Sequence, residues 1–194
     1  MPRKSDKRER LIAAGRDVIY QQGYSRTTLA KIAEAAQVPL GNVYYHFKTK
    51  ELLARAVIDS RMDDLRARIA DSESAPSPAE RLVRFIMHGT EKSASVAAYG
   101  CAYGSLVQEL DKDEADAPLR QAAAGLLQAQ LDWMVEQFHE MGRGNEAEDL
   151  ATQLLADIQG YCLIANTMAD ESLMKRGFER VAAWLRAQQP GPVN

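Results

Sequence analysis

Residues 27–50, TTLAKIAEAAQVPLGNVYYHFKTK, carry two short apolar runs at helical spacing, parted at residues 37–39. Leu29, Ile32, Ala33, Ala36 and Val38 belong to the first run and its turn, Val43 and Phe47 to the second. Apolar positions three and four apart mark one face of a helix, and a break this brief leaves room only for a sharp turn. The segment predicts a helix-turn-helix. Its second helix keeps Leu40, Gly41, Asn42, Tyr44, Tyr45 and His46 off the apolar seam and ends in Lys48, Thr49 and Lys50. A compact helix with polar and aromatic groups beside cations suits a DNA groove. Packing of Tyr44, Tyr45 and His46 against the first helix is the alternative.

Charge is divided along the chain. Residues 1–55 carry a net +6 and the remainder −9, within a total of −3. An acidic chain is repelled by a polyanion overall, yet a local cationic excess neutralises phosphates and releases counterions. The division predicts a small DNA-binding domain over residues 1–52 and a larger domain over 53–194 that does not touch DNA. With 194 residues and 46% hydrophobic content, the chain can bury a substantial core. No stretch approaches the roughly 18 consecutive apolar residues of a membrane span, and MPRKSDKRER leads into an amphipathic helix without a signal peptide's apolar core. A cytoplasmic protein with no membrane contact is expected. Two cysteines, Cys101 and Cys162, are too few for a disulfide framework, and a reducing compartment keeps both as thiols.

Helix formers dominate and period-two β-branched runs are absent, so the expected fold is all-α, a three-helix DNA-binding domain followed by a helical ligand-binding and dimerisation domain. The first helix is expected from about Ser5, as N-cap, to Gln22, ended by Gly23, with Leu11, Ile12, Gly15, Val18 and Ile19 as its buried stripe. Thr27 or Thr28 can cap the second, and Pro39 opens the third. A long helix follows from residue 51 until the Ser-Ala-Pro-Ser-Pro stretch at 74–78. Further helices are expected at about 79–96, 101–111, 115–141, 146–168 and 171–188, with breaks at Gly100, residues 111–118 and residues 142–145.

The order of a short first helix, TT-L-x-x-I-A-x-x-A-x-V, G-x-V-Y-Y-H-F and K-T-K-E-L-L resembles the TetR family of transcriptional regulators over about residues 5–55. That resemblance implies a regulator that binds a pseudo-palindromic operator in double-stranded DNA as a homodimer and is released by a small-molecule inducer. It implies phosphate contacts from Thr28 and the amide end of the second helix, from Tyr44, Tyr45 and His46, and from Lys48 and Lys50. Leu40, Gly41 and Asn42 would lie closest to base edges. Many relatives carry Gly-Val-Ser-Lys-Gly at the turn where this chain has Gln37-Val38-Pro39-Leu40-Gly41, which shifts base readout toward thymine methyls, Asn42 and DNA shape. For Arg3, Lys4, Lys7, Arg8 and Arg10, a solvated arm and a DNA-contacting one both remain open.

Beyond residue 55 the signals are weaker. Cys101 stands at the expected start of a helix, where amides and the helix dipole favour thiolate, and similar G-C-x-x-G-x-L-x-x-E-L segments occur in relatives that respond to electrophiles. The alternative is a small buried residue. Cys162 reads as core, and a disulfide between the two is decided by Cα separation. Cys101, Tyr103, Trp133, Tyr161, Cys162 and Asn166 are candidates for lining a pocket for a small apolar or aromatic, or thiol-reactive, compound. The last two helices could pair two copies through Leu154, Leu155, Ile158, Tyr161 and Ala165 with Phe178, Val181, Ala182 and Leu185, or bury those stripes within one copy. His88 and His139 lack a second ligand at metal spacing, no cofactor is expected, and an enzyme is disfavoured because acid/base pair and phosphate loop are missing.

Overall fold

A computed structural model describes residues 4–112 and 117–188. The described residues form ten α-helices and no strand: α1 (Lys4–Gln22), α2 (Leu29–Ala35), α3 (Leu40–His46), α4 (Lys50–Ser72), α5 (Pro78–His88), α6 (Ser93–Tyr99), α7 (Gly104–Lys112), α8 (Ala117–Glu140), α9 (Ala147–Met168) and α10 (Glu171–Ala187). They pack as two compact units, Met1–Asp63 with Ala102–Leu126, and Asp64–Cys101 with Leu127–Asn194. The unit around the helix-turn-helix thus runs past residue 52 and takes in α7. Arg3 lies outside the described residues, as do the first two positions of the helix expected at 115–141. Helix α1 is already formed at Lys4, so Ser5 is inside it rather than its cap.

In the first unit, Leu11, Val18 and Ile19 of α1 meet Ile32 of α2, Val43 of α3, Phe47 and Leu53 and Val57 of α4. Leu106 and Leu110 of α7 complete that core. Gly15 permits the approach of α1 to α4, because a Cβ there would lie 2.7 Å from Leu53 Cδ2. Gly23, at φ +84°, ends α1 in the left-handed region, and its N–H donates to Ile19 O at 2.9 Å.

The turn between α2 and α3 is a Schellman ending made without glycine. Val38 N donates to Ala33 O at 2.9 Å and Gln37 N to Glu34 O at 3.0 Å, which places Gln37 at φ +52°. Val38, just past it, is buried. A side chain in the left-handed region costs about 1–2 kcal/mol, and glycine's greater freedom in the unfolded chain offsets about half of that. Gln37→Gly is therefore expected to raise stability by about 0.5–1 kcal/mol, read as a later urea midpoint at unchanged slope.

In the second unit α10 packs on both α5 and α9, and α6 lies on α9. The single helix expected over 79–96 is instead α5, a 3₁₀ turn at Gly89–Lys92, and α6. The chain tightens at Gly89 because Phe178 of α10 stands against it, with Phe178 Cε2 3.0 Å from where a Cβ would be. Ser77 caps α5 with Pro78 in its first turn. Gly100 takes φ +84° and ψ −174°, a conformation restricted to glycine, and so turns the chain out of α6. Helix α7 begins only at Gly104. Cys101 is consequently three residues ahead of a helix, not at its N-terminus as expected.

Candidate nucleic-acid interface

Helix α3 buries one side and presents the other. Val43 and the following Phe47 are buried, whereas Leu40 (41% exposed), Tyr44 (47%) and Tyr45 (61%) face outward. Gly41 is also exposed, and nothing would stand within 4 Å of a Cβ placed there, so backbone can come close to a ligand surface. Asn42 and His46 are half-buried, with the His46 ring edge-on to Tyr45 at 5.1 Å between centroids. These large side chains are off the core seam, as their spacing predicts.

Thr28 caps α2, its hydroxyl accepting from Lys31 N at 3.2 Å. It is exposed, as are Lys48 and Thr49. Lys50 is half-buried: its Nζ donates to Tyr24 O at 3.3 Å and stands 4.0 Å from the Tyr24 ring centroid. The ammonium has three donors, and the carbonyl uses one. Its neighbour Glu51 has its carboxyl held below the usual carboxylate range, first by its own backbone N–H, then by the Thr49 hydroxyl. An anion is favoured in the first turn of a helix such as α4.

Two basic residues of α1 make contacts within the fold. Arg10 donates to the carbonyls of Ala36 and Gln37, closing the turn between α2 and α3, and the Arg8 guanidinium lies 5.4 Å from the Phe47 ring centroid. For Arg10 the sequence offered a solvated arm or a DNA contact and not this turn-closing role, because only the fold brings it to a position 26 residues away. Sequence reasoning missed Tyr24, whose burial between two polar segments was a signal available only in retrospect.

The six residues read as pocket candidates do not act as one group. Trp133 is buried against Phe85, centroids 5.0 Å apart, and its Nε1 donates to Glu73 at 3.2 Å. Tyr161 lies over Gly177 of α10, and Asn166 Nδ2 donates to Ala97 O at 3.0 Å, tying α9 to α6. Tyr103 packs on the core of the first unit. The nearby Cys101 thiol, together with burial, pushes the Cys162 thiol well above its ordinary range. Most residues of the apolar stripes expected to pair two copies are buried within one, while Leu155 and Tyr161 are half-buried. Leu154, Ile158, Ala165, Phe178, Val181, Ala182 and Leu185 are buried in the single chain, because α9 and α10 need them for each other and for α5. What α9 leaves outward is Leu163 (64%), Ile164 and Met168.

Among the described residues no helix is long and apolar enough to cross a membrane. His88 Nε2 is 3.0 Å from Asp71 Oδ2.

Residues 11–57 match the family model of bacterial regulatory proteins, tetR family. The chain is similar to the transcriptional repressor DhaR of Mycobacterium sp. (strain GP1), 28% identical over 157 residues covering 77% of this chain and 75% of that protein. It is likewise similar to the transcriptional regulator LmrA of Bacillus subtilis (strain 168), 29% identical over 84% of this chain and 87% of that one. In fold it is similar to a TetR transcriptional regulator from Legionella pneumophila, TM-score 0.81 at 22% identity over 94% and 96% of the two chains. It also resembles the reduced form of NemR from E. coli, TM-score 0.77 at 18% identity over 97% and 100%.

Proposed function

The chain is a TetR-family, DNA-binding transcriptional regulator, and on that premise we propose that it is a repressor that grips a pseudo-palindromic operator as a homodimer and lets go when a small molecule binds. The observation that carries this reading is the two-sided α3, with Val43 buried on one side and Leu40, Gly41, Tyr44 and Tyr45 outward on the other. In the major groove, Leu40, Gly41 and Asn42 would meet base edges. Thr28, Tyr44, Tyr45, His46, Lys48 and Lys50 would meet phosphates.

One such helix reads few base pairs, so specificity requires two heads set about one helical turn, 34–36 Å, apart. The last two helices supply the pairing surface, now through the outward face of α9 rather than its buried stripes. Gly160 lies one turn from Ile164, and Leu163, Ile164 and Met168 give that face an apolar patch with small residues beside it. Release follows if the inducer has unequal affinity for the bound and freed conformations.

For the inducer we favour a thiol-reactive or small apolar compound. Cys101 is half-exposed while Cys162 is buried in α9, so an electrophile would reach Cys101 first. The test begins with duplexes enriched from a random pool by the purified protein. Binding should fall steeply with salt, at two protomers per duplex, and N-ethylmaleimide should release the wild type but not Cys101→Ser. Indifference to every duplex at low ionic strength would remove the reading; release of Cys101→Ser as readily as wild type would remove the thiol branch alone.

A further inference from the structure

The loop that leads into α2 is held by a carboxylate from far along the chain. Glu109, on α7, accepts from the backbone N–H of Tyr24 at 2.6 Å, across 85 positions of sequence. Gly23 makes room for it: a Cβ there would lie 3.0 Å from both Glu109 oxygens. Charge-assisted hydrogen bonds of this length are the strong ones, and Tyr24 itself is buried.

Tyr24 in turn holds residues of the candidate interface. Its carbonyl accepts from Lys50 Nζ at 3.3 Å, its ring lies under the same ammonium, and its hydroxyl donates to Glu51 Oε1 at 3.4 Å. The Tyr24 carbonyl also accepts from Thr27 N at 3.0 Å, and Thr27 Oγ1 donates to Gly23 O at 2.7 Å. Thr28, the cap of α2, is the next residue. One residue, Tyr24, therefore links α7 through its backbone N–H to Lys50 through its carbonyl.

We propose that Glu109 is a positioning residue for DNA binding, a latch through which the placement of α7 sets, by way of Tyr24, whether Lys50 can meet a phosphate. Nothing but geometry is transmitted: withdrawing the carboxylate leaves a buried N–H without its acceptor, the loop at 23–28 relaxes to satisfy it, and Lys50 loses the carbonyl and ring that aim it. The inference rests on the reading of Lys50 as a phosphate contact, and the experiment separates the two.

Duplex selected from a random pool by the wild type is titrated by fluorescence anisotropy at several salt concentrations, with wild type, Lys50→Ala, Glu109→Ala, Glu109→Gln and the Lys50→Ala/Glu109→Ala double variant. Loss of one phosphate contact per head flattens the slope of log affinity against log salt by about two units per dimer. Lys50→Ala should do this, Glu109→Ala should do the same, and the double variant should be no flatter than either. Glu109→Gln, which keeps an oxygen acceptor, should stay within about threefold of wild type. A merely structural role for Glu109 would reduce the folded fraction and leave the slope alone. If Lys50→Ala leaves the slope unchanged, the phosphate reading fails; if it flattens the slope and Glu109→Ala does not, the latch is overturned. Should Glu109→Ala not fold, Glu109→Asp, which shortens the reach and keeps the charge, is judged by the same slope.

Discussion

Gly177→Ala is expected to lower the midpoint of thermal unfolding by about 6–12 °C, the shift that about 3 kcal/mol produces in a chain of this size. A Cβ at Gly177 would penetrate the ring of Tyr161. Helix α10 carries Phe178 and Val181 into the core beside that contact, and α9 carries Cys162 and Ala165, so neither backbone can withdraw without opening buried surface. The Tyr161 ring cannot swing aside freely either, since a helical residue has two common χ1 wells and the third drives it into the preceding turn. Overpacking of a rigid ring against backbone lies toward the costly end of such substitutions. In the Gly177→Ala background, Tyr161→Ala should recover part of the lost midpoint, while Tyr161→Phe should recover none because the ring remains. A midpoint unmoved by Gly177→Ala would mean that α9 and α10 are further apart than described.

Gly177 also shows where sequence stops being informative. A glycine in mid-helix costs about 1 kcal/mol relative to alanine and therefore asks for a packing reason. The reason is a tyrosine 16 positions earlier that was read as a pocket residue, and no local pattern pairs the two. By contrast, the helix-turn-helix was legible because periodicity, the Thr28 cap and the stop at Gly23 all act within one turn of the residues that encode them. The outward set on α3 was legible for the same reason. The break at Gly89 was not, since Phe178 of α10 stands against it, nor was the delayed start of α7, which follows the glycine-only conformation at Gly100. Stripes on α9 and α10 were correctly seen as apolar, but period alone cannot say whether a stripe meets its own chain or another copy. Glu109 falls in the same class: its partner is an amide, which has no sequence signature at all.

The double substitution Tyr44→Phe with Tyr45→Phe should weaken binding to the selected operator by about a thousandfold, with the thermal midpoint unchanged. Both rings are outward, and phenylalanine removes the two hydroxyls while preserving the edge-on contact of ring 45 with His46. A hydrogen bond is worth about 1 kcal/mol net, and one to a charged group somewhat more. In the symmetric dimer proposed above every substitution counts twice, which brings four lost contacts to about 4 kcal/mol and hence about a thousandfold in Kd. If the two hydroxyls meet phosphates as proposed, the loss should be nearly the same for every duplex tested, because phosphates carry no sequence, whereas Asn42→Ala should change which duplex is preferred if Asn42 meets a base edge. The magnitude itself is diagnostic. A protein reading DNA with a single head would lose only the square root of that factor, about thirtyfold. An unaltered Kd would mean that the exposed face of α3 is not the one that docks, and the search for the DNA surface would have to begin again elsewhere on the first unit.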